Sequence, residues 1–372
     1  MLRWVFVISV AFIASVLLNF YSYKRFLRKI SFLQPYLKYI RVFIVFVGIL
    51  EATYIFSVLI NFSLHIHLYL AGAFLLGFSW FLFGVSVAYD VLRIVFKRTK
   101  FNSNRRKFLK FVFDTAFLVV FVGFLLQGVF SAIKPPRIKH NQIRISGLKS
   151  PLRIAVVSDI HIGDFLQKEF LAQLVYQINS TKPDIVAIVG DLADMSGDEM
   201  GDFLEPLKDL KSTYGTYYVP GNHEYYHGID GILSKVNDVG VKILGNKNVN
   251  IGGLNLAGVY DVVGLKFNYL KPDLDVALSG INENEPTILL THQPKFIRYM
   301  HKDVDLVICG HTHGGQIFPF HFLVLLDQPY LYGLNKHNDK MQVYVSSGAG
   351  FWGPPVRILA PSEIAILDLV GE

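Results

Sequence analysis

Leu306-Val307-Ile308-Cys309-Gly310-His311-Thr312-His313-Gly314-Gly315-Gln316 joins an apolar run to two histidines two residues apart, set among three glycines. Four consecutive apolar residues ending in glycine read as a short buried strand. In extended backbone, side chains two apart point to the same side, as His311 and His313 would here. Neutral imidazole is a common ligand for Zn, Mn and Fe. Glycine lets backbone approach a ligand closely or take positive φ.

Four more clusters of this kind follow apolar runs. They are Val157-Ser158-Asp159-Ile160-His161, Val189-Gly190-Asp191, Val219-Pro220-Gly221-Asn222-His223-Glu224 and Leu290-Thr291-His292-Gln293-Pro294. The preceding runs, 153–157, 185–189, 216–219 and 287–290, are expected strands. Further strands are expected over 241–244, 249–251, 254–259, 342–346 and 363–367, and helices over 168–180 and near 202–210, 231–239, 272–278 and 294–300. This alternation implies layered α/β packing. Ligands in open α/β sheets bind outside the carboxyl ends of the strands. All five clusters can therefore meet in one crevice, although 154 residues separate Asp159 from His313.

The chain divides by charge. Residues 1–139 carry 18 Lys and Arg against 3 Asp and Glu, whereas residues 140–372 carry 18 against 26. The basic part holds four long apolar runs, 4–23, 42–62, 68–89 and about 111–133, each reaching the roughly 20 residues that cross a bilayer. The first has a longer apolar core than the ~7–15 residues of a signal peptide. The basic residues sit between runs one and two (Lys24 to Arg41) and between three and four (Arg93 to Lys110), while the connection around Ser63 to His67 has none. The positive-inside rule then puts both basic loops in the cytoplasm and the acidic domain outside it. The expected architecture is a four-span transmembrane anchor over 1–134, a linker over 135–150 opened by Pro135-Pro136, and an α/β domain over 151–372 in a multi-pass protein of the cell (inner) membrane. Basic residues confined to such loops do not form a nucleic-acid footprint, so no nucleic-acid binding is expected.

The five blocks in this order resemble the calcineurin-like metallophosphoesterases, whose pattern runs Asp-x-His, Gly-Asp, Gly-Asn-His-Asp/Glu, a lone His and Gly-His-x-His. The resemblance covers about 150–372. It extends to a bacterial branch, with membrane-anchored or exported members, whose last block continues into Gly-Gly-Gln and whose chain ends with Pro-Pro-x-Arg, here Pro354-Pro355-Val356-Arg357. It implies an α/β metallophosphoesterase domain, a four-layer α/β/β/α sandwich, behind the four-helix transmembrane region. It also implies two divalent metal ions. Asp159, His161, Asp191 and His313 would hold one, and Asp191, Asn222, His292 and His311 the other, with Asp191 bridging. Mixed carboxylate, imidazole and amide ligands suit Mn, Fe or Zn, and two such ions can activate water and clamp an in-line displacement at phosphorus. His223 would be the general acid at the phosphate.

Other residues read more plainly. Asp194 is expected as a helix cap or loop anchor, and Glu224 as support for His223 or its loop. Arg357 is either a bidentate contact to substrate phosphate or a structural arginine. Phe351 and Trp352 either wall the site mouth or pack. Cys309, the only cysteine, is a small buried side chain. Glu51, in the middle of the second run, is costly in a bilayer and needs a partner, Gln127 among the candidates. The expected function is metal-dependent hydrolysis of phosphoester or pyrophosphate bonds in a phosphorylated small molecule or lipid-linked substrate. One resembling group hydrolyses UDP-2,3-diacylglucosamine, but that substrate is made in the cytoplasm, against the expected topology. A membrane sensor or transporter with a regulatory phosphoesterase domain is the reading of another class.

Overall fold

The structure, a computed structural model, describes residues 2–60, 62, 64–98 and 102–372, with side chains left undescribed at 2–8, 11 and 95–98. The side chains at the start of the expected span 4–23, Ser63 and the basic side chains of Lys97, Arg98 and Lys100 thus fall outside what is described.

Four helices come first: α1 (Leu2–Arg25), α2 (Leu37–Ile60), α3 (Ile66–Arg98) and α4 (Ser103–Ile133). Helices that are apolar all round belong in a core or a membrane. Among the described residues, three are long and apolar enough to cross a membrane, within Ser31–Ile60, Ile66–Ile94 and Ser103–Ile133. Glu51 of α2 is fully buried. Its partners are on α1 and not Gln127: its carboxylate accepts from the Ser15 hydroxyl and from Asn19 Nδ2 at 2.8 Å. Asn19 Oδ1 in turn accepts from Ser79 Oγ at 2.9 Å.

The helical unit also contains two segments from far along the sequence, Ile317–Pro319 and Gly353–Leu359. The expected domain 151–372 is therefore not one packing unit. Ile317, Val356 and Ile358 are buried in the same cluster as Phe26, Phe81 and Phe121. A Cβ on Gly128 would stand 2.5 Å from Ile358 Cγ1, and the Gly128 carbonyl accepts the Arg357 N–H at 2.9 Å. This packing was invisible in sequence because its partners lie far apart along the chain, as Gly128 and Ile358 do.

The second unit comprises twelve strands: β1 (Arg137–Ile145), β2 (Leu152–Val157), β3 (Ile185–Val189), β4 (Thr216–Val219), β5 (Lys242–Ile243), β6 (Lys247–Ile251), β7 (Leu254–Gly258), β8 (Thr287–Leu290), β9 (Leu306–Cys309), β10 (Gly333–Lys336), β11 (Gln342–Val345) and β12 (Glu363–Gly371). They form two mixed six-stranded sheets, ordered β1-β12-β2-β3-β4-β5 and β10-β11-β9-β8-β7-β6. Side chains of both sheets share one core, with Ile154, Ile185 and Val219 from the first and Leu256, Ile288 and Ile308 from the second. The opposite face of the second sheet, including Leu289 and Val307, packs on Phe296 and Ile297.

The helices of this unit are α5 (Lys168–Ser180), α6 (Asn222–Tyr226), α7 (Ile229–Asp238), α8 (Gly264–Phe267), α9 (Leu274–Ala277) and α10 (His321–Asp327). The expected helices near 202–210 and 294–300 are the 3₁₀ turns Glu205–Asp209 and Pro294–Tyr299. The expected linker 135–150 is corrected as well. Arg137–Ile145 is strand β1, paired in parallel with β12 throughout. Only Ile143 and Ile145 at its far end enter the core, so its polar first half hid the alternation that betrays a strand.

Removing residues 1–133 should therefore leave Ile317, Val356 and Ile358 without cover. The remaining 134–372 is expected to bind a hydrophobic dye strongly or precipitate, compared with the full chain in detergent. A soluble, dye-negative fragment would show that this cover is dispensable.

Candidate metal centre

Each candidate ligand stands just past the carboxyl end of a strand. Asp159 and His161 follow β2, Asp191 follows β3, and Asn222 and His223 open α6 after β4. His292 follows β8, and His311 and His313 follow β9. β2, β3 and β4 run parallel, as do β8 and β9, so the carboxyl edges of both sheets supply the cluster. Five of these residues have left-handed backbone: Asp159 (φ 52°), His161 (52°), Asp191 (50°), His311 (71°) and His313 (49°). Side chains disfavour that conformation by about 1–2 kcal/mol per residue. It turns the chain sharply at the strand end, and such outliers concentrate at functional sites. Close approach needs glycine at two neighbours. A Cβ on Gly221 would stand 2.2 Å from Asp191 Oδ1, and one on Gly190 2.4 Å from His292 Nδ1.

The side chains converge in two groups. Asp159, His161 and His313 present ligand atoms within 4.8 Å of one another, and so do Asp191, His292 and His311. In the first, His161 Nε2 is 3.0 Å from His313 Nε2, and His313 Nε2 is 3.4 Å from Asp159 Oδ1. In the second, His292 Nε2 lies 3.2 Å from His311 Nδ1 and 3.1 Å from Asp191 Oδ2. Asp191 Oδ2 is also 3.9 Å from His161 Nε2, which joins the groups. Asn222 is buried, and its Oδ1 accepts from Gln293 Nε2 at 3.4 Å.

The ring tautomers explain why nitrogens face nitrogens. His292 Nδ1 donates to the Val189 carbonyl at 2.9 Å, and His161 Nδ1 meets Asp194 Oδ1 at 2.7 Å. With those outer nitrogens occupied, Nε2 of each ring faces inward, the arrangement of metal-ligating histidines. Burial and the neighbouring His292 push the His311 pKa down to about 3. Burial also works against a charged His292, but Asp191 outweighs it and holds that pKa well above the ordinary value. Without a cation, a proton thus sits where carboxylates and imidazoles converge, and a divalent ion would displace it. The nitrogen and oxygen donors fit such an ion, and no cysteine belongs to either group.

Asp194 was expected as a cap or loop anchor. Here its Oδ1 is 2.7 Å from both His161 Nδ1 and His223 Nδ1, so one carboxylate orients two imidazoles. Its spacing in Gly190-Asp191-Leu192-Ala193-Asp194 was the only available signal. Burial opposes charge on His223, but Asp191 and Asp194 prevail and hold its pKa up at about 9. Glu224 accepts backbone N–H groups of Leu192 at 2.7 Å, Gly221 at 2.6 Å and Asp191 at 3.1 Å, tying two ligand loops together. Arg357 is 1% exposed and lies in the segment packed within the helical unit. Trp352 is half-exposed, and its ring meets His223 edge-on at 6.5 Å. Phe351 is buried against Phe165. The Gln293–Asp261 hydrogen bond of 2.8 Å was not anticipated. Cys309 is buried, and burial raises its thiol pKa.

The family description "calcineurin-like phosphoesterase" matches residues 152–315. An "uncharacterized metallophosphoesterase" of Helicobacter pylori is 43% identical over 98% of both chains. A Campylobacter jejuni protein, also an "uncharacterized metallophosphoesterase", is 38% identical over 96% of both. A Danio rerio "transmembrane protein with metallophosphoesterase domain" is 33% identical over 68% of this chain and 61% of its own.

The raised pKa values set the stability of the metal-free protein. Against an ordinary value of 6.5, His223 at about 9 contributes stability that is complete below pH 6.5 and lost as pH rises through 9. His292 is shifted in the same direction. The thermal midpoint of chelator-treated protein should fall across pH 6.5–9, and Asp194→Asn should flatten the fall. A midpoint that climbs through that window contradicts the assignment of the proton to these carboxylate-flanked rings.

Proposed function

The chain belongs to the calcineurin-like metallophosphoesterase family, and on that premise we propose that it is a multi-pass enzyme of the cell (inner) membrane. In this reading it hydrolyses phosphoester or pyrophosphate bonds of phosphorylated small molecules or lipid-linked substrates. The observation that carries the reading is the pair of histidine–aspartate groups joined through Asp191. One divalent ion would be held by Asp159, His161, Asp191 and His313, and the other by Asp191, Asn222, His292 and His311. Bound there, two cations supply electrostatic stabilisation of an in-line displacement and lower the pKa of water.

The protein's own groups do the rest. His223 offers Nε2 to the leaving oxygen while Nδ1 stays on Asp194 at 2.7 Å, a general-acid geometry. Its raised pKa keeps the proton available at neutral pH. The Asp191 Oδ1 bond to the His223 N–H, 2.9 Å long, ties the Asp191 carboxylate to the loop that carries the acid. The distribution of basic residues in the first 139 supports a catalytic domain outside the cytoplasm.

The test uses full-length protein with defined Mn, Fe or Zn and a panel of phosphomonoester, phosphodiester and pyrophosphate substrates. Asp191→Asn should abolish turnover and reduce bound metal. His223→Ala should slow turnover by about 10²–10⁴-fold while much of the metal remains. Full activity in both metal-loaded variants would falsify the assignment.

A further inference from the structure

Three neighbouring strands of the second sheet, β7, β8 and β9, run parallel and end at one edge. β8 and β9 are followed by His292, His311 and His313. Just past β7 stands Asp261, which belongs to neither ligand group. It is fully buried, and its Oδ2 has no hydrogen-bond partner among the described residues. Leaving a buried carboxylate oxygen unpaired is costly, and such groups are few in folded proteins.

The other oxygen leads to the metal centre. Asp261 Oδ1 accepts the Val263 N–H and Gln293 Nε2, each at 2.8 Å. Gln293 Nε2 also donates to Asn222 Oδ1 at 3.4 Å. On its other side Gln293 Oε1 accepts from Gln328 Nε2 at 3.3 Å, and Gln328 Oε1 accepts the Lys295 N–H at 3.0 Å. The two ends of a side-chain amide have nearly the same shape, so hydrogen-bond partners decide which way round it sits. Both ends of this relay are backbone N–H groups, which can only donate. The Lys295 N–H demands the oxygen of Gln328, which leaves nitrogen to face Gln293 Oε1. At the opposite end, the acceptor that meets the Val263 N–H also demands nitrogen from Gln293. Both constraints turn the Gln293 amide the same way, and its nitrogen then demands oxygen from Asn222.

That demand matters because an amide binds a cation through its carbonyl oxygen. The backbone on either side of Asn222 lies against Asp191. The His223 N–H donates to Asp191 Oδ1 at 2.9 Å, and a Cβ on Gly221 would stand 2.2 Å from the same atom. A carbonyl oxygen has two lone pairs. Gln293 occupies one on Asn222, and the second is left for an ion.

We propose that Asp261 is a positioning residue of the metal centre: through Gln293 it keeps Asn222 Oδ1, and not Nδ2, available as a ligand. Asp261 itself touches neither ion nor substrate in this role. The inference rests on the metal centre proposed above, and it adds a residue that stands 39 positions from Asn222 in sequence.

The experiment counts metal and needs no substrate. Full-length protein in detergent is stripped of metal and titrated with manganese by equilibrium dialysis. The thermal midpoint of each metal-free variant checks that it is folded. The unaltered protein should bind two ions per chain. Asp261→Leu should weaken one of them by about 10–100-fold, the usual loss when a group that orients a metal ligand is removed, and leave the other unchanged. Asp261→Asn must still offer oxygen to the Val263 N–H, so it should keep most of the affinity. Gln293→Met breaks the same relay, should match Asp261→Leu, and reads the link even if Asp261→Leu does not fold. The double variant should lose no more than either single one, because both act through one relay. Both ions held normally in Asp261→Leu or Gln293→Met, both weakened alike, or losses that add in the double variant would each overturn the positioning role and leave the metal centre standing. An unaltered protein that binds no manganese would overturn the metal centre and this role with it.

Discussion

The carboxylate of Asp191 is the group on which the rest of the α/β unit depends. It is 2% exposed, and a bare carboxylate in such surroundings costs several kcal/mol unless it is paired. Its Oδ1 takes the His223 N–H, and its Oδ2 faces His292 at 3.1 Å and both His161 and His223 at 3.9 Å. The histidines cluster because that charge must be compensated. With no cation the compensation is a proton, and the raised pKa of His292 is its signature. Glu224 serves this arrangement without joining it, since its Oε2 accepts the N–H groups of Asp191 and Gly221 and its Oε1 that of Leu192.

Left-handed backbone is what turns strand ends into ligands. A residue following a strand ordinarily continues along the sheet. At φ near 50° Asp159, His161 and Asp191 leave it abruptly instead. Five such residues cost several kcal/mol together at about 1–2 kcal/mol each, which the core shared by both sheets has to offset. The glycines beside them remove Cβ atoms that would fall on Asp191 and His292. The rigidity of the pleated core and the strain of the loops are thus two halves of one design, because only a stiff scaffold keeps unfavourable turns in place.

Much of this was legible in the sequence, for physical reasons that differ by element. The apolar strands 185–189, 216–219, 287–290 and 306–309 match β3, β4, β8 and β9 end to end, since strands buried on both faces leave an uninterrupted apolar run. β1 and β10 were missed because their pairing comes from partners distant in sequence, and β1 carries Lys139, His140 and Asn141 in its middle. The ligand types were visible as blocks. The double duty of Asp194 was not, because nothing local states that two histidines 62 residues apart share one carboxylate oxygen. The partners of Glu51 were equally hidden, as helix–helix register in an apolar bundle leaves little trace in a single sequence.

A simple tether would cross from the helical unit to the α/β unit once. This chain does so at Ile133, and then returns twice, over Ile317–Pro319 and Gly353–Leu359. The two returns begin side by side. Gln316 Nε2 donates to the Trp352 carbonyl at 2.7 Å, and the Trp352 N–H donates to Gln316 Oε1 at 3.0 Å. One of these residues closes the loop of His311 and His313, and the other stands edge-on to His223. Two hydrogen bonds therefore fix, within the α/β unit, the two places where the chain leaves it.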